Sequence, residues 1–249
     1  SHINLLGQGE GVTILDAKQT NRVITIEDCV NSTISNLTIT GGLETYGGGM
    51  LLFKSNPILN NLTISNNTAV SSGGGILLQE SNPTLTNITI SGNRANAHGG
   101  GIYLLQESNP TFSNMIISEN IADSLGGGIV LQKSNPNLSN VTISGNTANI
   151  HGGGIFFIQS NPNLSNMTIS GNTANSGGGM FIWNSDPILT NSIIWDNSPE
   201  SIYINSESPF ITYSDIEGGW EGEGNIDDNP LFFDPDNGDY TLQAGSPCI

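Results

Sequence analysis

The stretch SNPTLTNITISGNRANAHGGGIYLLQ, residues 81–106, decides the fold, because close copies of it lie on both sides. Ser-Asn-Pro, or once Ser-Asp-Pro, begins at Ser55, Ser81, Ser108, Ser134, Ser160 and Ser185, so successive copies lie 26, 27, 26, 26 and 25 residues apart. Each copy holds three short apolar pieces between polar turns, here around Leu85, at Ile88-Thr89-Ile90 and at Ile102-Tyr103-Leu104. No single copy can bury its apolar side chains alone. Stacked copies can, each strand pairing with its counterpart in the next coil, and repetition at this period is the signature of a solenoid.

The outer parts of the chain continue the pattern in degenerate form. Val12 to Leu15, Arg22 to Ile26, and Ile34, Leu37, Ile39 and Met50 fit upstream; Ile202 to Ile204 and Phe210 to Thr212 fit downstream. The reading is an all-β parallel β-helix of about eight coils with three short strands per coil, roughly 40 Å long at ~4.8 Å per rung. The β-helix is expected over residues 1–216 and an irregular acidic cap over 217–249. Composition agrees: only 11% of the 249 residues are charged, 32 are glycine, and Asn, Ser and Thr dominate the polar remainder. Such a chain favours strands and turns over helices.

Charge narrows the partners. The net charge is −17, the only cations are Lys18, Arg22, Lys54, Arg94 and Lys133, and 13 of the 22 acidic residues lie from Asp186 onward. Nucleic acid is excluded as a ligand by repulsion, and anionic membranes or polyanionic glycans are disfavoured unless a cation bridges. Cys29 and Cys248 are too few to make a disulfide framework, and no run of residues reads as a signal peptide or a membrane span.

SNPTLTNITISGN followed by GGGIYL resembles the right-handed parallel β-helix repeats of the pectate-lyase-like superfamily, and is similar to polymorphic outer-membrane-protein repeats. Thr212 to Ile249 resembles the tail that follows such repeats in secreted bacterial proteins. The resemblance implies right-handed coiling and an extracellular or cell-surface location. It fixes no activity, since this fold hosts lyases, hydrolases, epimerases, adhesins and inert spacers.

Asparagine recurs at two positions. Asn36, Asn61, Asn87, Asn114, Asn140, Asn166 and Asn191 form the first series, which is expected to be an internal ladder at a left-handed bend. Tyr213 replaces the next member and should end the stack. Asn67, Asn93, Asn120, Asn146 and Asn172 form the second series, read as turn chemistry. The glycine triplets starting at Gly73, Gly99, Gly126, Gly152 and Gly177 precede no helix, so they mark a close bend rather than a phosphate loop.

Alternation sorts the strands. Thr63, Thr89, Thr142 and Thr168 point outward with Ser65, Ser91, Ser118, Ser144 and Ser170, interrupted by Ile116 and Ile193. This hydroxyl lattice is an ordinary solvent-facing strand pattern, with an ice-binding array as the alternative. In Ile155-Phe156-Phe157-Ile158, only alternate residues enter the core. Leu51, Phe53, Leu77, Tyr103, Leu105, Val130, Phe156, Ile158, Phe181 and Trp183 are therefore expected to form an outward apolar stripe, abnormal for an isolated soluble protein. Three readings compete: the tail covers it through Trp220, Leu231, Phe232 and Phe233; another protein, or another copy, docks there; or sugar rings stack on its aromatics.

No catalytic constellation emerges. Lys54, Glu80, Glu107 and Lys133 read as a solvated ion-pair column, Glu119 and Asp123 as an acidic spot with no basic partner, and His98 and His151 lie two rungs apart, too far to share a metal. Asp234, Asp236 and Asp239 have calcium-like spacing without a full EF-hand loop. The function expected is a non-catalytic extracellular or cell-surface module for adhesion or structural display. Its rivals are a polysaccharide-binding or polysaccharide-active protein using the stripe, and a filament subunit stacking through uncapped ends such as the strand at Ile3 to Leu6.

Overall fold

A computed structural model describes residues 3–249. It is an all-β parallel solenoid of about eight turns. One middle coil shows the plan: Asn137–Ser144 lies in a long sheet, Thr147–Ala148 in a short sheet and Ile155–Ile158 in a third sheet. Each strand pairs in parallel with its copy in the next coil, for instance Val141 with Met167 and Ile155 with Met180. Helical structure among the described residues is limited to a 3-10 turn at Pro235–Asn237.

Six columns of inward side chains fill the lumen. Leu138, Val141 and Ile143 come from the long sheet, Ala148 from the short one, and Ile155 and Phe157 from the third, each buried with its counterparts above and below. The small Ala69, Ala95, Ala122 and Ala148 column lets the short sheet approach closely. The glycine triplets complete this approach: a Cβ on Gly127 would lie 2.5 Å from Thr147 O and 2.6 Å from Gly153 O of the adjacent coil.

Both asparagine series are hydrogen-bonded ladders, but the interior one is the second series, read from sequence as turn chemistry, and not the first. In the first series Asn61 Nδ2 donates to Asn36 Oδ1 at 2.9 Å and Asn166 Nδ2 to Asn140 Oδ1 at 2.9 Å, all with left-handed backbone. Most of these side chains are exposed, so this ladder runs along the outside. The interior ladder is the second series, continued by Asn197. Asn120 donates from its backbone N–H and from Nδ2 to Asn146 Oδ1, both at 3.0 Å, and Asn146 Nδ2 also donates to Ile117 O at 2.8 Å. The first series sits mid-strand, at a bend that turns its amides outward. The second sits where the chain passes from the long to the short sheet and must satisfy buried backbone groups.

The longest repeat absorbs its extra residue at Gln106 and Glu107, both left-handed, where other coils have one such residue. Leu104 and Leu105 keep strict register with both neighbours.

The tail does not cover the apolar stripe. Trp220 packs against the end of the core, and Ile226 pairs with Ser214 and Ile216. A hairpin of Phe232–Asp234 and Asp239–Leu242 then runs back along the outer face of the long sheet. There Pro235 and Tyr240 flank the same cleft as Ile116, Thr142 and Thr168, and Leu231 and Phe232 flank another with Trp195. Ile193 shares a third with Leu242 and Pro247. The isoleucines that interrupt the hydroxyl lattice thus mark where the tail docks. At the other end Glu10 accepts from Thr38 and Thr63 hydroxyls at 2.6 and 2.7 Å, through its backbone O and Oε2. Bracketed on both sides, the lattice does not offer the broad flat array that an ice-binding surface requires.

Candidate functional site: the outer face of the third sheet

Two outward columns run along the third sheet. The first passes through Leu51, Leu77, Tyr103, Val130, Phe156, Phe181 and Tyr203, and the second through Phe53, Gln79, Leu105, Gln132, Ile158 and Trp183. Beside the first lies a flanking column from the turns that precede the glycine triplets: Tyr46, Ser72, His98, Leu125, His151 and Ser176.

The turns fold down onto the first column. The leading glycine of each triplet has positive φ, and at Gly152 and Gly177 the space a Cβ would take lies 2.9 Å from the Cβ of Phe156 and of Phe181. Leu77, Val130, Phe156 and Phe181 are therefore almost fully buried although they lie outside the lumen, Phe156 at 1% exposure and Phe181 at 3%. Val130, Phe156 and Phe181 form a second small core with Tyr103, Leu125 and Ile158. The expected open stripe is thus largely closed by each coil's own turn, and four of its ten residues are not surface groups at all.

What stays open is concentrated at two places. Near the C-terminal end, Trp183 is 43% exposed and Tyr203 40%, beside the half-buried Ile158. Tyr203 continues a ring stack: Phe156 to Phe181 at 5.2 Å and Phe181 to Tyr203 at 4.8 Å between centroids. This packing holds Tyr203 in a defined orientation.

The second place is a cleft of about 450 Å³ near the other end, where the small Ser72 separates Tyr46 from His98 in the flanking column. Leu51, Leu77 and Leu105 line it, with Tyr103, Gln79 and Arg22 at its margins. Arg22 is held by the turn: Nε donates to Gly47 O at 2.9 Å, Nη2 to Tyr46 O at 2.7 Å and Nη1 to Thr25 Oγ1 at 3.0 Å. Tyr103 donates its hydroxyl to Gln132 Oε1, and burial pushes its phenol pKa up. His98 stands edge-on to Tyr103 at 6.2 Å, and burial holds its imidazole below the ordinary range. Phe53 is half-buried beneath Lys54 Nζ, 4.9 Å from the ring centroid.

The sequence reading missed Tyr46, Ser72, Arg22 and Tyr203. The signal was there: the residue before each glycine triplet recurs at the repeat period, and three of the six, Tyr46, His98 and His151, carry rings. Only the fold shows that this column leans over the stripe.

The other candidates stand as follows. Lys54 and Glu80 form an exposed ion pair at 3.8 Å. Asp123 does have a basic partner, Arg94 of the preceding coil, at 2.6 Å, because the two occupy nearly adjacent positions of neighbouring turns. In the tail, Asp234 Oδ2 accepts from Asn237 Nδ2 at 2.9 Å, and Asp239 Oδ1 accepts from Thr241 N at 3.0 Å and Thr241 Oγ1 at 2.6 Å. These carboxylates serve the hairpin turn, and no three His, Cys, Asp or Glu converge among the described residues. Asp215, which no motif signalled, is buried and accepts from Cys248 Sγ at 3.0 Å.

The open groups are hydroxyls, amides and flat rings on a rigid strand surface, an arrangement suited to binding. No helix among the described residues is long and apolar enough to cross a membrane. A family model described as a right handed beta helix region matches residues 1–173. Neither a curated protein nor a solved structure matches the chain.

Proposed function

Given that the chain belongs to the right-handed β-helix family, we propose that it is a non-catalytic extracellular or cell-surface module for adhesion, whose ligand is a neutral glycan held on the outer face of the third sheet. The observation that carries this reading is the pair Trp183 and Tyr203, two flat rings left open at the end of a stack that otherwise buries its aromatics. Flat rings held rigidly match the apolar faces of pyranose rings, and little side-chain freedom is lost on binding. The cleft at Tyr46 and Tyr103 supplies a second contact about five coils away, so an extended chain of sugars could engage both. The net charge of −17 selects against polyanionic glycans.

Retention of the chain on insoluble neutral polysaccharides tests the proposal. Trp183→Ala and Tyr203→Ala should each lower retention about tenfold, the effect of losing ~1.4 kcal/mol of stacking. Failure of the unaltered chain to bind any neutral polysaccharide, or retention of both variants undiminished from that of the unaltered chain, would sink the reading.

A further inference from the structure

The segment from Asn229 to Ile249 folds largely onto itself. Gln243 donates from its backbone N–H to Leu231 O at 2.9 Å and from Nε2 to Phe232 O at 2.8 Å, and Ser246 Oγ donates to Pro230 O at 2.7 Å. The rings of Phe232 and Tyr240 meet edge to face at 5.1 Å across the hairpin. Among the described residues a single hydrogen bond joins this unit to the rod, from Cys248 Sγ to Asp215 Oδ2. The remaining attachment is side-chain packing centred on Ile193 and Trp195, which stand where the preceding coil has Thr168 and Ser170. A cleft of about 750 Å³ lies between the hairpin tip and the rod.

The entry to the arm is strained. Leu231 has φ 54°, in the left-handed region that a residue with a branched side chain disfavours, and it follows Pro230. A hairpin held by its own hydrogen bonds and a single polar tie to the rod are the features of an element that can leave its own chain intact.

We propose that residues 229–249 are an exchangeable arm, docking either on their own rod or on the Ile193–Trp195 face of a second copy. The occupant is specified by the molecule itself. That face is already shaped for this hairpin, and contacts made in trans repeat those made in cis. The exchange is independent of any ligand on the third sheet.

Two measurements test it. In a Cys29→Ala background, Asp215→Cys places a second thiol opposite Cys248, and oxidation should give an intrachain disulfide in dilute solution and a covalent dimer at high concentration. A disulfide that stays intrachain at every concentration overturns the proposal. Because that substitution alters a buried position, the unaltered chain is also followed by sedimentation velocity from micromolar to millimolar, beside a chain ending at Asp228. A slowly formed species of twice the chain mass, absent from the shortened chain, is the expected result. A strict monomer throughout, or equal dimerisation of the shortened chain, overturns it.

Discussion

The imidazole of His151 lies over the ring of Phe181, with centroids 4.3 Å apart and planes inclined by 30°. Its Nδ1 is buried without a hydrogen-bond partner, as is Nδ1 of His98 two coils away. An uncharged imidazole tolerates this setting, whereas an imidazolium needs a partner for each N–H. Burial accordingly holds both groups below their ordinary range, with a backbone contact at Ile150 partly opposing the shift at His151.

Stability should therefore fall on acidification through a defined window. Below the ordinary histidine value of 6.5 the unfolded chain takes up protons that the folded chain refuses, so folding free energy is fully present above that pH and declines beneath it. Protonation of the 22 acidic groups also changes stability there, so the comparison must be internal. His151→Phe keeps a ring against Phe181 and cannot titrate. Denaturant unfolding at pH 7 and pH 5 should show a smaller drop for this variant than for the unaltered chain. An equal drop in both would remove histidine from the explanation.

Phe156 and Trp183 separate stability from binding. Phe156 is sealed under its own turn, so Phe156→Ala should cost about 3–5 kcal/mol, as for other aromatic truncations in cores. Trp183 is 43% exposed, and Trp183→Ala should cost less than about 1 kcal/mol. Chemical denaturation of the two variants checks this. A mild Phe156→Ala would mean that the turn does not close on the stripe in solution.

The same residues show what could be read from sequence. Repeat spacing and strand alternation placed the lumen columns through Ile155 and Phe157, because a period of two leaves no freedom once one inward position is known, but gave no sign of the Ala148 column. Alternation failed at Phe156, since it sorts residues into two faces but carries no information on what lies over the outer one. The cover comes from the turn before Gly152, whose path depends on positive φ and not on any hydrophobic pattern. The asparagine ladders failed for a related reason. Asn140 and Asn146 look alike in sequence, and only the direction of the bend at each decides which amide faces the interior.

Cys248 should be a sluggish nucleophile. Burial, together with the nearby Asp215 carboxylate, raises its thiol pKa to about 12, and only the thiolate reacts. At pH 8 the thiolate fraction is then roughly 10³-fold or more below that of a thiol of ordinary pKa near 8.5. Alkylation monitored by mass should be slowed to match, and Asp215→Asn, which removes the charge but keeps an acceptor, should speed it. Reaction at the rate of a small free thiol would show that the Cys248 contact with Asp215 is rarely made.

The two ladders should differ sharply in energetic weight. Asn146 is fully buried and satisfies Asn120 N–H, Ile117 O and Asn172 Oδ1 at once. Removing its amide in Asn146→Ala leaves several buried groups unpaired at about 1–3 kcal/mol each, so a loss of more than about 3 kcal/mol is expected. Asn140 is exposed, and water replaces its ladder contacts. Its left-handed φ of 54° is what alanine disfavours, by about 1–2 kcal/mol. Asn140→Gly should recover most of that loss, while Asn146→Gly should recover none, because at position 146 the missing hydrogen bonds and not the backbone angle set the cost. Equilibrium unfolding of the four variants distinguishes the cases: if Asn146→Ala proves as mild as Asn140→Ala, the interior ladder does not hold the coils together.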